Sequence, residues 1–133
     1  RMMSRPDTEV AVARAPGGLT AGFGILELGP EDAELVLLAV DPRVRRRGIG
    51  RDLLGFLEAE ARVAGIGAVW LHVRARNATA IAFYERAGCV VREQLRGHYG
   101  GREDGLRMQH RLVGDGPDAP DVPDLGALLR GPP

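Results

Sequence analysis

The residues best equipped for chemistry stand together in Arg45-Arg46-Arg47-Gly48-Ile49-Gly50-Arg51, directly before an amphipathic stretch. A helix that starts here presents unpaired N–H groups carrying partial positive charge. Glycines let an anion approach the backbone, and flanking guanidiniums add charge-assisted hydrogen bonds. The pattern Arg45-x-x-Gly48-x-Gly50 therefore suits a diphosphate, although a glycine turn before a helix is common and an arginine run often only faces solvent. Two other nucleotide motifs fail. A P-loop needs Gly-Lys-Ser/Thr and the chain has no Lys; a dinucleotide fingerprint needs a third glycine where Leu53 stands.

The elements around this stretch follow from periodicity. Glu9 to Arg14 alternates apolar and polar and reads as a strand, and the turn Ala15-Pro16-Gly17-Gly18 leads to a second strand, Leu19 to Leu28. Gly22 and Gly24 inside the second strand indicate a bulge or a close backbone approach. Glu34 to Val40 is an almost unbroken apolar run, expected as a strand buried on both faces. Ile49, Leu53, Phe56, Leu57, Ala61 and Ala64 recur at helical spacing, predicting a helix from about Gly50 to Ala64 that Gly65 ends. In the strand Ala68 to Arg74, Val69, Leu71 and Val73 share one face, and Trp70, His72 and Arg74 share the other. Asn77 caps a helix from Ala78 to Ala87. Cys89 to Glu93 and Leu106 to Leu112 read as two more strands, joined by a loop holding Gly97, His98, Tyr99, Gly100 and Gly101. The expected fold is α/β (α+β), a mixed sheet of about six strands flanked by helices, with a crossover helix before the Ala68–Arg74 strand. Residues 1–113 form the domain, and residues 114–133 a Pro-, Gly- and Asp-rich tail in which Asp124 to Arg130 has room for a helical turn or two.

Composition narrows the partners. The chain has 133 residues, one domain's worth, with 18 basic and 18 acidic residues, so no field draws it to nucleic acid or an anionic membrane. The arginine run lacks the interleaved aromatics of an RNA surface. The single Cys89 excludes an internal disulfide, reads as a small core residue and is a poor acyl carrier. With no signal peptide and no long apolar run the expected location is cytoplasmic. No metal is expected, and self-association stays open.

The block Leu37-Leu38-Ala39-Val40-Asp41-Pro42, followed by Arg45 to Leu54, resembles the acetyl-CoA motif of the GNAT N-acetyltransferases. Trp70 to Gly88, with Asn77 and Tyr84 inside it, is most similar to the bacterial ribosomal-protein-alanine N-acetyltransferases, as are Gly101-Arg102-Glu103-Asp104 and Met108. The resemblance covers about Gly22 to Leu112. It implies acetyl-CoA as co-substrate. Leu38, Ala39 and Val40 would hold the pantetheine arm and polarise the thioester through backbone groups. Arg45, Arg46, Arg47, Gly48, Ile49, Gly50 and Arg51 would hold the diphosphate, and Asn77 would also touch the cofactor. Tyr84 matches the family's general acid, a phenol able to protonate the leaving thiolate; its bland alternative is core packing. His72 stands where these enzymes carry a glutamate base, and an imidazole can take the amine proton at neutral pH; a water chain is the competing base. Tyr99 matches a loop that helps hold the acceptor. Family members also carry a strand and one or two helices before the Glu9 strand, which this chain is expected to lack. The resemblance implies acetyl transfer to a primary amine, foremost a protein or peptide N-terminus. A small-molecule amine and a non-catalytic acyl-CoA-binding regulatory module are the alternatives.

Overall fold

A computed structural model describes residues 7–45 and 47–113, so Arg46, the opening Arg1-Met2-Met3 and the tail from Gly114, with the helical turn expected in it, lie outside the described residues. Six strands and two α-helices make up the expected α+β set, arranged in two compact units that divide between Val69 and Trp70.

In the first unit, β1 (Thr8–Arg14), β2 (Thr20–Leu28) and β3 (Asp32–Val40) form antiparallel neighbours in that order. After a 3-10 turn at Pro42–Val44, α1 (Ile49–Val63) packs on all three strands. The glycines of β2 make that packing possible. A Cβ on Gly24 would come within 2.8 Å of Leu57 Cδ1, and one on Gly22 within 2.7 Å of the Ala39 carbonyl oxygen. The close approach read from their position in the strand is therefore present on both sides, toward the helix and toward β3.

Two expectations change here. The buried stripe of α1 is Leu53, Leu54, Leu57, Glu58 and Ala61, so Phe56 and Ala64 turn outward. Nor is β3 buried on both faces. Ala33 and Leu35 are buried, while Val36 and Leu37 are 50% and 43% exposed. The register shifts between Ile25 and Leu26, which pair with Leu37 and Leu35, leaving Val36 as the extra residue. Composition had suggested two buried faces; α1 supplies cover for the alternate residues that pack beneath it.

β4 (Ala68–Arg74) leads into the second unit, which continues with α2 (Ala78–Arg86), β5 (Val90–Tyr99) and β6 (Glu103–Arg111). Within it β6 lies between β4 and β5, with β5 and β6 antiparallel. Leu71, Val73, Cys89, Val91, Leu106 and Met108 are buried. Asn77 caps α2 as expected, accepting from the Ala80 N–H at 3.0 Å. β5 runs on to Tyr99, so His98 and Tyr99 are strand residues rather than loop residues. Gly97, at φ +61°, sits where the β5–β6 register shifts between Leu95 and Tyr99. That irregularity breaks the period of two by which the strand would have been recognised.

Candidate functional site

The candidate positions divide between the units. In the first, β3 ends at Val40 and the chain turns sharply. Asp41 caps the 3-10 turn by accepting from the Arg43 N–H at 2.9 Å and holds the Arg43 guanidinium through Nε and Nη2, the latter at 2.7 Å. That guanidinium, donating to the carboxylate, and the Arg43 N–H hold the Asp41 carboxyl down at about 2, below its ordinary 3.8. The Arg43 guanidinium is raised in turn by its partner. Arg43 is therefore committed to the turn, which Asp41 braces.

Arg45 donates from Nε to the Val40 carbonyl oxygen at 3.4 Å, tying the loop to the end of β3. Leu38, Ala39 and Val40 are half-buried. Ala39 and Val40 join Thr20, Gly22, Phe23 and the Asp41–Arg43 turn around an open concavity of about 370 Å³. Gly48 takes the left-handed conformation at φ +79°, and no side chain caps α1 there. With Gly48 left-handed at its cap and no side-chain cap, the first N–H groups of α1 lack the side-chain partner that a capping residue would supply. Ile49 and Gly50 open the helix. Arg47 and Arg51 are exposed and, among the described residues, make no ion pair or hydrogen bond. Two uncommitted cations at an uncapped helix N-terminus suit a ligand with phosphate groups.

The second unit holds the other candidates. Tyr84 is half-buried on α2, its ring edge-on to Phe83 at 5.1 Å. Burial, and then the neighbouring Cys89, push its phenol up to about 12. It makes no hydrogen bond or ring contact with His72. Asn77 uses its side-chain oxygen on the helix cap, and the residue is exposed. His72 projects from β4 beside Arg74, where strand parity had put it, and is exposed. Its ring stacks on His98 at 5.0 Å between centroids with the planes 28° apart. His98 in turn meets Tyr99 edge-on at 4.8 Å, and the Arg74 guanidinium lies 4.2 Å from the centre of the Tyr99 ring. Sequence reasoning named His72 and Tyr99 separately but not their link through His98, nor the role of Gly105 beneath them. A glycine inside a strand was the available signal for close approach.

The first unit thus has the features of a site for an extended, phosphate-bearing ligand, at the carboxyl end of a strand and the start of a helix. The chain belongs to the acetyltransferase (GNAT) family, whose profile matches residues 4–89. It is 42% identical over 94 residues to the ribosomal protein bS18-alanine N-acetyltransferase of Escherichia coli, an alignment covering 68% of this chain and 64% of that protein. It thus spans just under two thirds of the relative's length. The crystal structure of the Escherichia coli ribosomal-protein-S18-alanine N-acetyltransferase is similar at a TM-score of 0.76 and 33% identity, over 88% of this chain and 77% of that one. The PaiA N-acetyltransferase of Thermoplasma acidophilum, solved in complex with coenzyme A, is similar at a TM-score of 0.68 and 26% identity, over 79% and 61%.

Proposed function

We propose that this chain is an acetyl-CoA-dependent N-acetyltransferase that modifies a primary amine, foremost the N-terminus of a protein or peptide. The observation that carries the reading is the uncapped start of α1, with Gly48 left-handed and with Arg47 and Arg51 unpaired among the described residues, beside the concavity at the end of β3. The residues fit the co-substrate: exposed helix N–H groups and arginines for the diphosphate, and an extended backbone at Leu38–Val40 for the arm. The relatives named for ribosomal-protein acetylation and for a coenzyme A complex support both halves.

The chemistry is direct transfer. The amine nitrogen attacks the thioester carbonyl carbon, a C–N bond forms and the C–S bond breaks. Backbone groups near Ala39 and Val40 polarise the carbonyl. His72, or water that it orders, takes the proton lost by the amine, and Tyr84 donates to the departing sulfur. Arg45 braces the loop from Val40, and Asn77 combines its cap with a cofactor contact. Arg46 completes the basic loop in this reading. Tyr99 contributes to the acceptor side. The site of action is proposed to be the cytoplasm, where ribosomal proteins are made; no helix among the described residues is long and apolar enough to cross a membrane.

A second reading, a non-catalytic acyl-CoA-binding module, draws on His72 standing where the related enzymes carry a glutamate. Calorimetry with acetyl-CoA, combined with thiol release in the presence of an alanine-terminated peptide and a panel of small amines, separates the two. Binding with peptide-dependent release is the expected result. Release only with small amines moves the acceptor to that class, binding without any release supports the module, and no binding defeats both.

A further inference from the structure

The second unit contains a side-chain assembly that neither the cofactor loop nor the acid accounts for. His72 and Arg74 rise from β4, His98 and Tyr99 from the end of β5, and the strand between them, β6, offers no side chain at the crossing point because residue 105 is glycine. A Cβ on Gly105 would lie 2.9 Å from Tyr99 Cε2, 3.3 Å from His98 Cβ and 3.3 Å from His98 Cδ2. The backbone of Gly105 has no positive φ, so its need for glycine is one of space. His98 and Tyr99 occupy that space, and from there the His98 ring reaches the His72 ring.

The rest of the assembly is fastened at several points. Gly97, left-handed at φ +61°, turns the end of β5, and its N–H donates to Asp104 Oδ1 at 2.9 Å. Gln94 donates to the other oxygen of Asp104 at 3.1 Å. The Asp104 carbonyl accepts from the Ala75 N–H at 3.0 Å, joining β6 to the end of β4. Arg74 lies over Tyr99 and pairs with Glu103, which also faces Arg76 at 3.9 Å. An exposed imidazole on a strand ordinarily exchanges rotamers freely; this one lies against a ring that is itself held by Tyr99, Arg74 and the hairpin.

We propose that His98 is a positioning residue that holds the His72 imidazole in one orientation by stacking on it across the gap left by Gly105. The consequence for catalysis rests on the proposed role of His72 as base; the positioning itself does not. Orienting a proton acceptor matters because small misplacements of a catalytic group cost rate steeply.

The test uses the full chain and the variants His98→Ala, His98→Phe, Gly105→Ala and His72→Ala. Ring resonances of His72, followed by NMR, report the stack without any substrate. The ring-current shift on His72 is expected to vanish in His98→Ala, to persist in His98→Phe and to shrink in Gly105→Ala. With an alanine-terminated peptide, kcat is expected to fall about ten-fold in His98→Ala at unchanged KM for acetyl-CoA, and to recover in His98→Phe to within about two-fold of the parent. Unchanged His72 resonances in both His98→Ala and Gly105→Ala overturn the positioning proposal, as does a His98→Phe variant that loses the shift. Full activity in His72→Ala removes the base assignment, while the NMR result still decides the positioning. Impaired His72→Ala alongside fully active His98→Ala leaves the base and overturns the catalytic consequence of the stack.

Discussion

Replacing Tyr84 by phenylalanine removes one hydroxyl and leaves the ring, and the structure separates what that does to stability from what it does to chemistry. Among the described residues no group hydrogen-bonds the Tyr84 hydroxyl, so its loss leaves no partner stranded. Stability at neutral pH should therefore change by no more than about 0.5 kcal/mol. Alkaline pH is different. Burial and Cys89 raise the phenol from 10.0 to about 12 in the folded chain. Below the unfolded value both states hold the proton and Tyr84 adds no pH dependence. As pH rises from 10 to 12 the unfolded chain releases its proton first, so the stability associated with the neutral phenol is lost, reaching about 2.7 kcal/mol above the folded value. Tyr84→Phe should flatten that part of the profile, read by urea unfolding at a series of pH values.

The same shift sets the kinetic expectation. A phenol at about 12 stays protonated wherever the enzyme is assayed, so Tyr84 imposes no falling limb on kcat below about pH 10. A phenol at about 12 is also a weaker acid than the thiol it would form, so it gives its proton reluctantly, which places the proposed acid's contribution at the lower end of the usual range. Tyr84→Phe is expected to lower kcat about 100-fold, equivalent to about 2.7 kcal/mol, with acetyl-CoA affinity within about two-fold. Turnover within about three-fold of the parent, measured on a variant with unchanged neutral stability, would refute the acid role. A phenol that titrates near 10 in the folded chain would refute the reasoning from burial.

Exchanging both Arg47 and Arg51 for alanine removes two cations at the start of α1 that make no ion pair or hydrogen bond among the described residues, and should raise the acetyl-CoA Kd at least about ten-fold, with a weaker salt dependence, measured by calorimetry at two ionic strengths. Gly88→Ala imposes a side chain at φ +105° and places Cβ 2.7 Å from His110 Nε2, so thermal unfolding should show a loss of about 3 kcal/mol; Gly65→Ala, at φ +82° with nothing within 4 Å, carries only backbone strain and should cost about 1 kcal/mol. The Asp41 carboxyl should titrate at about 2 by carbon NMR and return toward 3.8 in Arg43→Ala. Because its folded value is depressed, the stability tied to this pair is present above pH 4 and lost as pH falls from 4 to 2.

Local signals carried the sequence reading where local forces decide the structure. The turn glycines, the Asn77 cap and the alternation in β1 and β4 act within a few residues, and each could be read from the chain. The basic loop was legible for the same reason: a glycine cap and the following helix are neighbours in sequence, and a glycine cap has no side chain with which to satisfy the first N–H groups. Apolar content alone said less. Leu35 is buried while Val36 and Leu37 are half exposed, although all three belong to one apolar run: alternation turns Val36 away from the face of Leu35, and the one-residue register shift there keeps Leu37 from returning to it.

The cluster of His72, His98 and Tyr99 was hidden for a related reason. His72 and His98 are 26 residues apart, and nothing in the spacing of either announces the other. Their contact depends on three separate circumstances: a left-handed Gly97 that turns β5, a strand order that puts β6 between β4 and β5, and a glycine at position 105 on that middle strand. The strand order leaves no mark in the sequence and Gly97 reads there only as a turn glycine, whereas Gly105 stands in the interior of a strand, where the loss of packing and the entropic cost require compensation. The rings of His98 and Tyr99 supply it by filling the space a side chain would have taken. A glycine flanked by well-formed strand on both sides is thus the position from which such a cross-strand stack can be sought in a sequence, with the aromatic residues at the end of the preceding strand as its first candidates.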